Sequence, residues 1–257
     1  MSFVKISSAV AWIVGSLLVV PGGVFKCYDW FFHRPKVVPS YVCRMITTGP
    51  RKNALSTSYL AELMHLSADR PTLCKQFDKD LAEKRVCLSA VIKEANVKVI
   101  KPDTVYVDYT VRKPIALLYD FENAAIDEEG VVFPMTPFFS PKKLPEIYLG
   151  IKKVSWGEAL RGEKIELALN FLKTKINDFL HIRRLDVSQA FASSLGTREI
   201  VIMLDEDGFS KILRLTPKNF LQEMGNYLEL CKKLPRESQV IDLRIPQLAF
   251  IENNPQK

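Results

Sequence analysis

The sequence predicts an α+β chain: one N-terminal transmembrane helix, a small β-α-α-β-β domain, then a mostly antiparallel β-domain carrying helices. Three observations predict it. No residue from Ser7 to Phe25 is charged. Apolar residues then recur at helical spacing as far as Leu81 and switch to alternation at Val97 and Val99 and, after the turn Lys101–Thr104, at Val105, Val107, Tyr109 and Val111. Beyond residue 115, short apolar runs alternate with Gly, Pro and acidic turns.

Each element follows from its own residues. A helix over 7–25 is roughly 28 Å long, close to the ~30 Å apolar thickness of a bilayer. Tyr28, Trp30, Phe31 and Phe32 follow as an interfacial aromatic belt. A cleaved signal peptide is the competing reading, but no small-x-small cleavage site precedes Cys27. Lys5 opposes Lys26, Arg34 and Lys36, so charge alone does not favour a cytoplasmic N-terminus. The divisions are a tail (1–6), the span (7–25), a juxtamembrane linker (26–39), a first domain (40–115), a second domain (116–251) and a C-terminal tail (252–257).

In the first domain a strand is predicted near Tyr41–Thr47. Ser56 or Thr57 caps a helix whose apolar face is Leu60, Leu63 and Met64. A second helix is expected from near Thr72, with Leu73, Phe77 and Leu81 in line. In the next strand Val105, Val107, Tyr109 and Val111 share one face. In the second domain, Ser155–Glu158 has the form of a capping box before a helix with Ile165, Leu169, Leu172 and Ile176 in register. Asp207-Gly208 turns a hairpin, and Thr216 and Pro217 start the last helix. "VIDLRIPQLAFIE" reads as one closing strand with Pro246 in its middle, which is tolerated at an edge or bulge.

Composition excludes several functions. The chain has 257 residues, 47% hydrophobic and 25% charged, which is globular. Its net charge of +7 is spread through every segment, without a recognition motif for nucleic acid. His33, His65 and His181 lack ligand-spaced neighbours, so no metal or cofactor is expected. No P-loop, GxGxxG or GxSxG stretch is present. The five cysteines are expected to be buried thiols; in an oxidising compartment Cys74 and Cys87 are the nearest pair in sequence.

One long stretch, "VIKEANVKVIKPDTVYVDYTVRKPIALLYDFENAAIDEEGVVFPM", resembles the FtsQ/DivIB family of bacterial cell-division proteins. Ala95, Val97, Pro102, Thr104, Arg112, Pro114, Ala116, Asp127, Gly130 and Phe133 carry the match. "VIDLRIP" is similar to the family's closing V-D-L-R motif, with Ile245 where an aromatic residue is common. The resemblance implies a POTRA-like first domain and a non-enzymatic divisome scaffold. It places the scaffold in the cell inner membrane, N-terminus cytoplasmic, with both domains periplasmic. It also implies FtsB-like and FtsL-like single-span partners, other division proteins at the POTRA-like domain, and a last strand that accepts an FtsB-like strand. The partner-binding residues are then Arg244, Ile245, Gln247, Ala249 and Ile251. A membrane-anchored cell-wall enzyme and a POTRA-type chaperone of another export or assembly system are the alternatives.

Overall fold

A computed structural model describes residues 40–140, 143–174, 180–206, 208–235, 237 and 239–253. Its first sheet has three strands in the order β1 (Arg44–Thr48), β3 (Thr104–Val111), β2 (Ile92–Ile100). β2 and β3 form an antiparallel hairpin, and β1 lies parallel to β3. Alternation buries Val105, Val107 and Tyr109, with Val111 half-buried. Two helices cover them. α1 (Thr57–Leu63) starts where the Ser56 hydroxyl accepts the Tyr59 N–H at 3.2 Å. α2 (Lys79–Cys87) starts seven residues later than the spacing of Leu73, Phe77 and Leu81 predicts. The Asp78 carboxylate accepts the N–H groups of Asp80 and Leu81 and fixes the helix start there. That rotates Ala82 and Val86 into the core and leaves Leu81 exposed.

The chain enters the second sheet between Val111 and Ala116. This sheet contains β4 (Ala116–Leu118), β5 (Ala124–Ile126), β6 (Val132–Pro134), β7 (Glu146–Tyr148) and β8 (Ile182–Asp186). It continues with β9 (Ile200–Glu206), β10 (Phe209–Leu215), β11 (Gln239–Asp242) and β12 (Phe250–Asn253). Their spatial order is β12-β11-β10-β9-β8-β7-β4-β5-β6. α3 (Glu163–Lys173) and α4 (Phe220–Leu230) bury Ile165, Ala168, Phe171, Met224 and Tyr227 in the core that the sheet's inward residues share.

The predicted fold class is corrected by these observations. Among the described residues no helix is long and apolar enough to cross a membrane, and the segment 7–25 lies outside them. The described chain is mixed α/β with strands predominating, in two sheets with four α-helices. The large sheet is also mixed. β7 runs parallel to β4, β8 to β7 and β11 to β10, while its other neighbours are antiparallel. The connections explain two of the parallel pairs: α3 lies between β7 and β8, and α4 between β10 and β11, and a helical crossover returns the chain in the same direction. Alternation within a strand carries no information about its neighbour's direction.

Two helix starts are corrected as well. The expected capping box at Ser155–Glu158 is instead a turn with Gly157 at φ 79°, and Val131 pairs with Ala159 beyond it. α3 begins only at Glu163, behind Gly162 at φ 122°. Its innermost residues are Ile165, Ala168 and Phe171; Leu169 and Leu172 flank them. α4 begins at Phe220, after a turn in which the Thr216 hydroxyl accepts the Asn219 N–H at 3.2 Å.

The β5–β6 hairpin joins the two cores. Ala124, Ile126 and Val132 face the helices of the large sheet, while Ala125 and Phe133 pack with Val107, Tyr109 and Met64 of the small one. Charge closes the same junction. Arg112 Nη1 donates to Asp127 Oδ2 at 2.7 Å, and the other Asp127 oxygen accepts the N–H groups of Glu129 and Val131. Residues 41 onward form one compact unit.

Candidate partner-docking edge

A sheet edge exposes backbone N–H and C=O groups that another strand can take, and proteins ordinarily cover or disrupt it. The edges here are treated unequally. Outside β6, Val132 N–H donates to Glu158 O at 3.1 Å and Gly157 N–H to Val132 O at 2.8 Å, so residues 157–160 close that end. On the free side of β2, the Glu83 carboxylate accepts the Val97 N–H at 3.0 Å. Tyr41, just before β1, pairs with Leu73. At β12 all four residues are exposed, and β12 is the terminal strand of its sheet.

The local sequence makes this edge. "VIDLRIPQLAFIE" is two strands joined by a turn. β11 and β12 pair antiparallel with Ile241 opposite Ile251 and Asp242 opposite Phe250. β11 ends because the Asp242 carboxylate turns back to accept the Arg244 N–H at 3.0 Å, a local bond that competes with the ladder. Leu248 N–H then donates to Ile245 O at 3.2 Å across Pro246 and Gln247. Proline second and a positive φ third (65° at Gln247) are the features of a type II turn. Pro246 therefore lies in the turn and removes no ladder bond.

The five predicted partner residues fall into two groups. Ile245, Gln247, Ala249 and Ile251 are exposed along the turn and β12. With Leu248 and Phe250, Ile245 and Ile251 form an apolar strip whose residues are 49% (Ile245), 56% (Leu248), 56% (Phe250) and 42% (Ile251) exposed. Arg244 is different. Its Nη2 lies 2.6 Å from Asp242 Oδ2, its Nη1 3.1 Å from Glu199 Oε2, and its Nη1 also donates to Gly196 O at 3.3 Å. Glu199 in turn grips Arg214 through both oxygens, at 2.9 and 3.1 Å. Arg244 thus ties the turn to the outer face of its own sheet.

Burial pushes the Asp242 carboxyl up, but the Arg244 side chain, the Arg244 N–H and the charge of Arg214 together outweigh it and hold it below its ordinary value. Sequence reasoning missed Glu199 and Arg214, which lie about thirty to forty-five residues upstream of Arg244 and carry no motif. It also missed the junction pair, although both Arg112 and Asp127 stand in the stretch that carries the resemblance.

Other candidates do not assemble. Among the described residues no three His, Cys, Asp or Glu side chains converge to hold a metal ion. His33 and Cys27 lie outside those residues. Cys43, Cys74, Cys87 and Cys231 are thiols, and Cys43 and Cys87 are exposed, where buried positions were expected. No known protein family's profile matches the chain, and no curated protein matches it at a significant level.

Proposed function

We propose that this chain is a non-enzymatic scaffold of the bacterial divisome, of the FtsQ/DivIB kind, with residues 41–257 on the periplasmic side of the cytoplasmic membrane. Its partners are FtsB-like and FtsL-like single-span proteins, and β12 takes up an FtsB-like strand by β-augmentation. The observation that carries this reading is the unequal protection of the edges. One end of the large sheet is closed by residues 157–160, whereas β12 is exposed over all four residues and bears Phe250 and Ile251.

Two further observations support it. Residues that carry the resemblance sit at the junction of the two sheets: Arg112 pairs with Asp127, Gly130 turns at φ 77° against Leu169, and Phe133 is fully buried. Such a junction suits a rigid arm. Glu83 occupies the Val97 N–H on the small sheet's long edge, which favours docking at β12 over the POTRA-type chaperone reading.

The test is titration of the organism's FtsB-like and FtsL-like ectodomains, singly and together, against the full-length chain. Saturable binding that is lost when β12 is disrupted supports the proposal. Binding unaffected by changes in β12 contradicts it.

A further inference from the structure

β12 is short. Its four residues span about 13 Å at roughly 3.3 Å each. A stable interface covers about 800 Å² per partner, which a strand of that length cannot supply alone. A bound segment must run on past one end of the edge.

At the Phe250 end the Leu243–Ala249 loop stands off α4 and leaves a cleft of about 470 Å³. One wall is a single stripe along α4 and the residue capping it: Asn219, Gln222, Asn226 and Leu230, three or four residues apart. The other is Ile245–Leu248, where Gln247 is presented by its positive φ. Four carboxamides (Asn219, Gln222, Asn226 and Gln247) therefore surround the cleft, all exposed. None of them makes a side-chain hydrogen bond to another described residue.

Among the described residues no Lys, Arg or His lines the cleft, although the chain carries +7. Among the described residues Glu223 is the one ionisable residue lining it, and its two oxygens accept the Thr216 N–H and hydroxyl, each at 2.6 Å. Among the described residues no aromatic ring lines it, so they offer a sugar no stacking platform. A carboxamide presents a donor and an acceptor side by side, which matches the C=O and N–H of a peptide unit. Leu230 and Leu243 offer apolar contact to alternate side chains.

We infer that the segment added to β12 continues past Phe250 into this cleft, where Gln222, Asn226 and Gln247 bind its main chain. This rests on the edge reading above. Antiparallel addition sends the C-terminal side of the segment there, and parallel addition the N-terminal side. The contacts read backbone, so the partner's sequence in the cleft is tolerant of substitution.

Site-specific photocrosslinking in the organism tests it. Benzoylphenylalanine replaces Glu252, Asn226 or, as a control on another face of α4, the exposed Leu221 in the full-length chain, and adducts are mapped by mass spectrometry. The inference expects the 252 and 226 probes to capture the same polypeptide, at positions about four to ten residues apart, with no such adduct at 221. Gln222→Ala with Asn226→Ala should lower the yield at 252 about tenfold, the effect of two neutral hydrogen bonds, with unchanged melting. An adduct at 252 alone, or a different polypeptide or a glycan at 226, overturns the inference and leaves the edge reading standing. No polypeptide at 252 overturns the edge reading, and the inference with it.

Discussion

Arg244 commits its guanidinium to carboxylates of its own sheet, and this changes what its replacement should do. With a side chain 22% exposed, it bridges Asp242 and Glu199. Arg244→Glu sets a third carboxylate among two, and removing one partner of a partly buried pair is costly. The expected loss is about 2–3 kcal/mol, seen as a melting temperature lower by roughly 5–10 °C, whereas Arg244→Lys keeps the charge and loses less. The acid limb gives a second check. Asp242 has a folded pKa below its unfolded value of about 3.9, so its contribution is present above that value and is lost as pH falls through the folded pKa. The stability gap between wild type and Asp242→Asn should be constant above about pH 5 and shrink below about pH 4. A gap that widened in acid would contradict the arrangement. Gly49 offers a test of packing: a Cβ there would overlap the Tyr109 ring, and the ring is held by its hydroxyl, 2.8 Å from Leu55 N. Gly49→Ala should cost about 2 kcal/mol in denaturant titration.

At the scale of elements, legibility followed the strength of the local signal. The β2–β3 hairpin was readable because alternation runs unbroken from Thr104 to Val111, and Val105, Val107 and Tyr109 are buried as it requires. Val107→Asp places an unpaired charge between the sheet and α1 and α2, and should cost several kcal/mol by thermal melting. Wild-type melting would mean the register is wrong. Helix starts were less readable. Leu73, Phe77 and Leu81 keep helical spacing, but Asp78 caps between them and moves the start to Lys79. Ser155 and Glu158 have capping-box spacing, yet Gly157 turns the chain to lie along β6, a use of the segment that depends on a strand more than twenty residues away. The last hairpin was hidden for a similar reason. Gln is rarely the third residue of a type II turn, so Pro246-Gln247 gave no turn signal and the two short strands read as one.

At the scale of the whole molecule, the sheet edges are asymmetric. The two sheets are joined through the β5–β6 hairpin and the Arg112–Asp127 pair, and three of their edges meet another part of the chain at some point. β12 alone is exposed at every residue and apolar at two of four. That such an edge would exist at the C-terminus was expected from Pro246 and the V-D-L-R resemblance. Of the residues expected to meet a partner, Ile245, Gln247, Ala249 and Ile251 are exposed along the turn and β12, whereas the turn takes Arg244 out of the strand.

A pair of proline substitutions tests that claim most directly. In an antiparallel pair successive residues point their N–H groups to opposite sides, so of Ile251 and Glu252 one bonds toward β11 and the other toward the open side. Titration of the FtsB-like ectodomain against full-length Ile251→Pro and Glu252→Pro, each with its melting curve, separates the two roles. The account predicts that one variant melts lower, while the other melts like wild type and binds at least tenfold more weakly. Wild-type affinity in the variant that melts normally would show that the partner docks elsewhere.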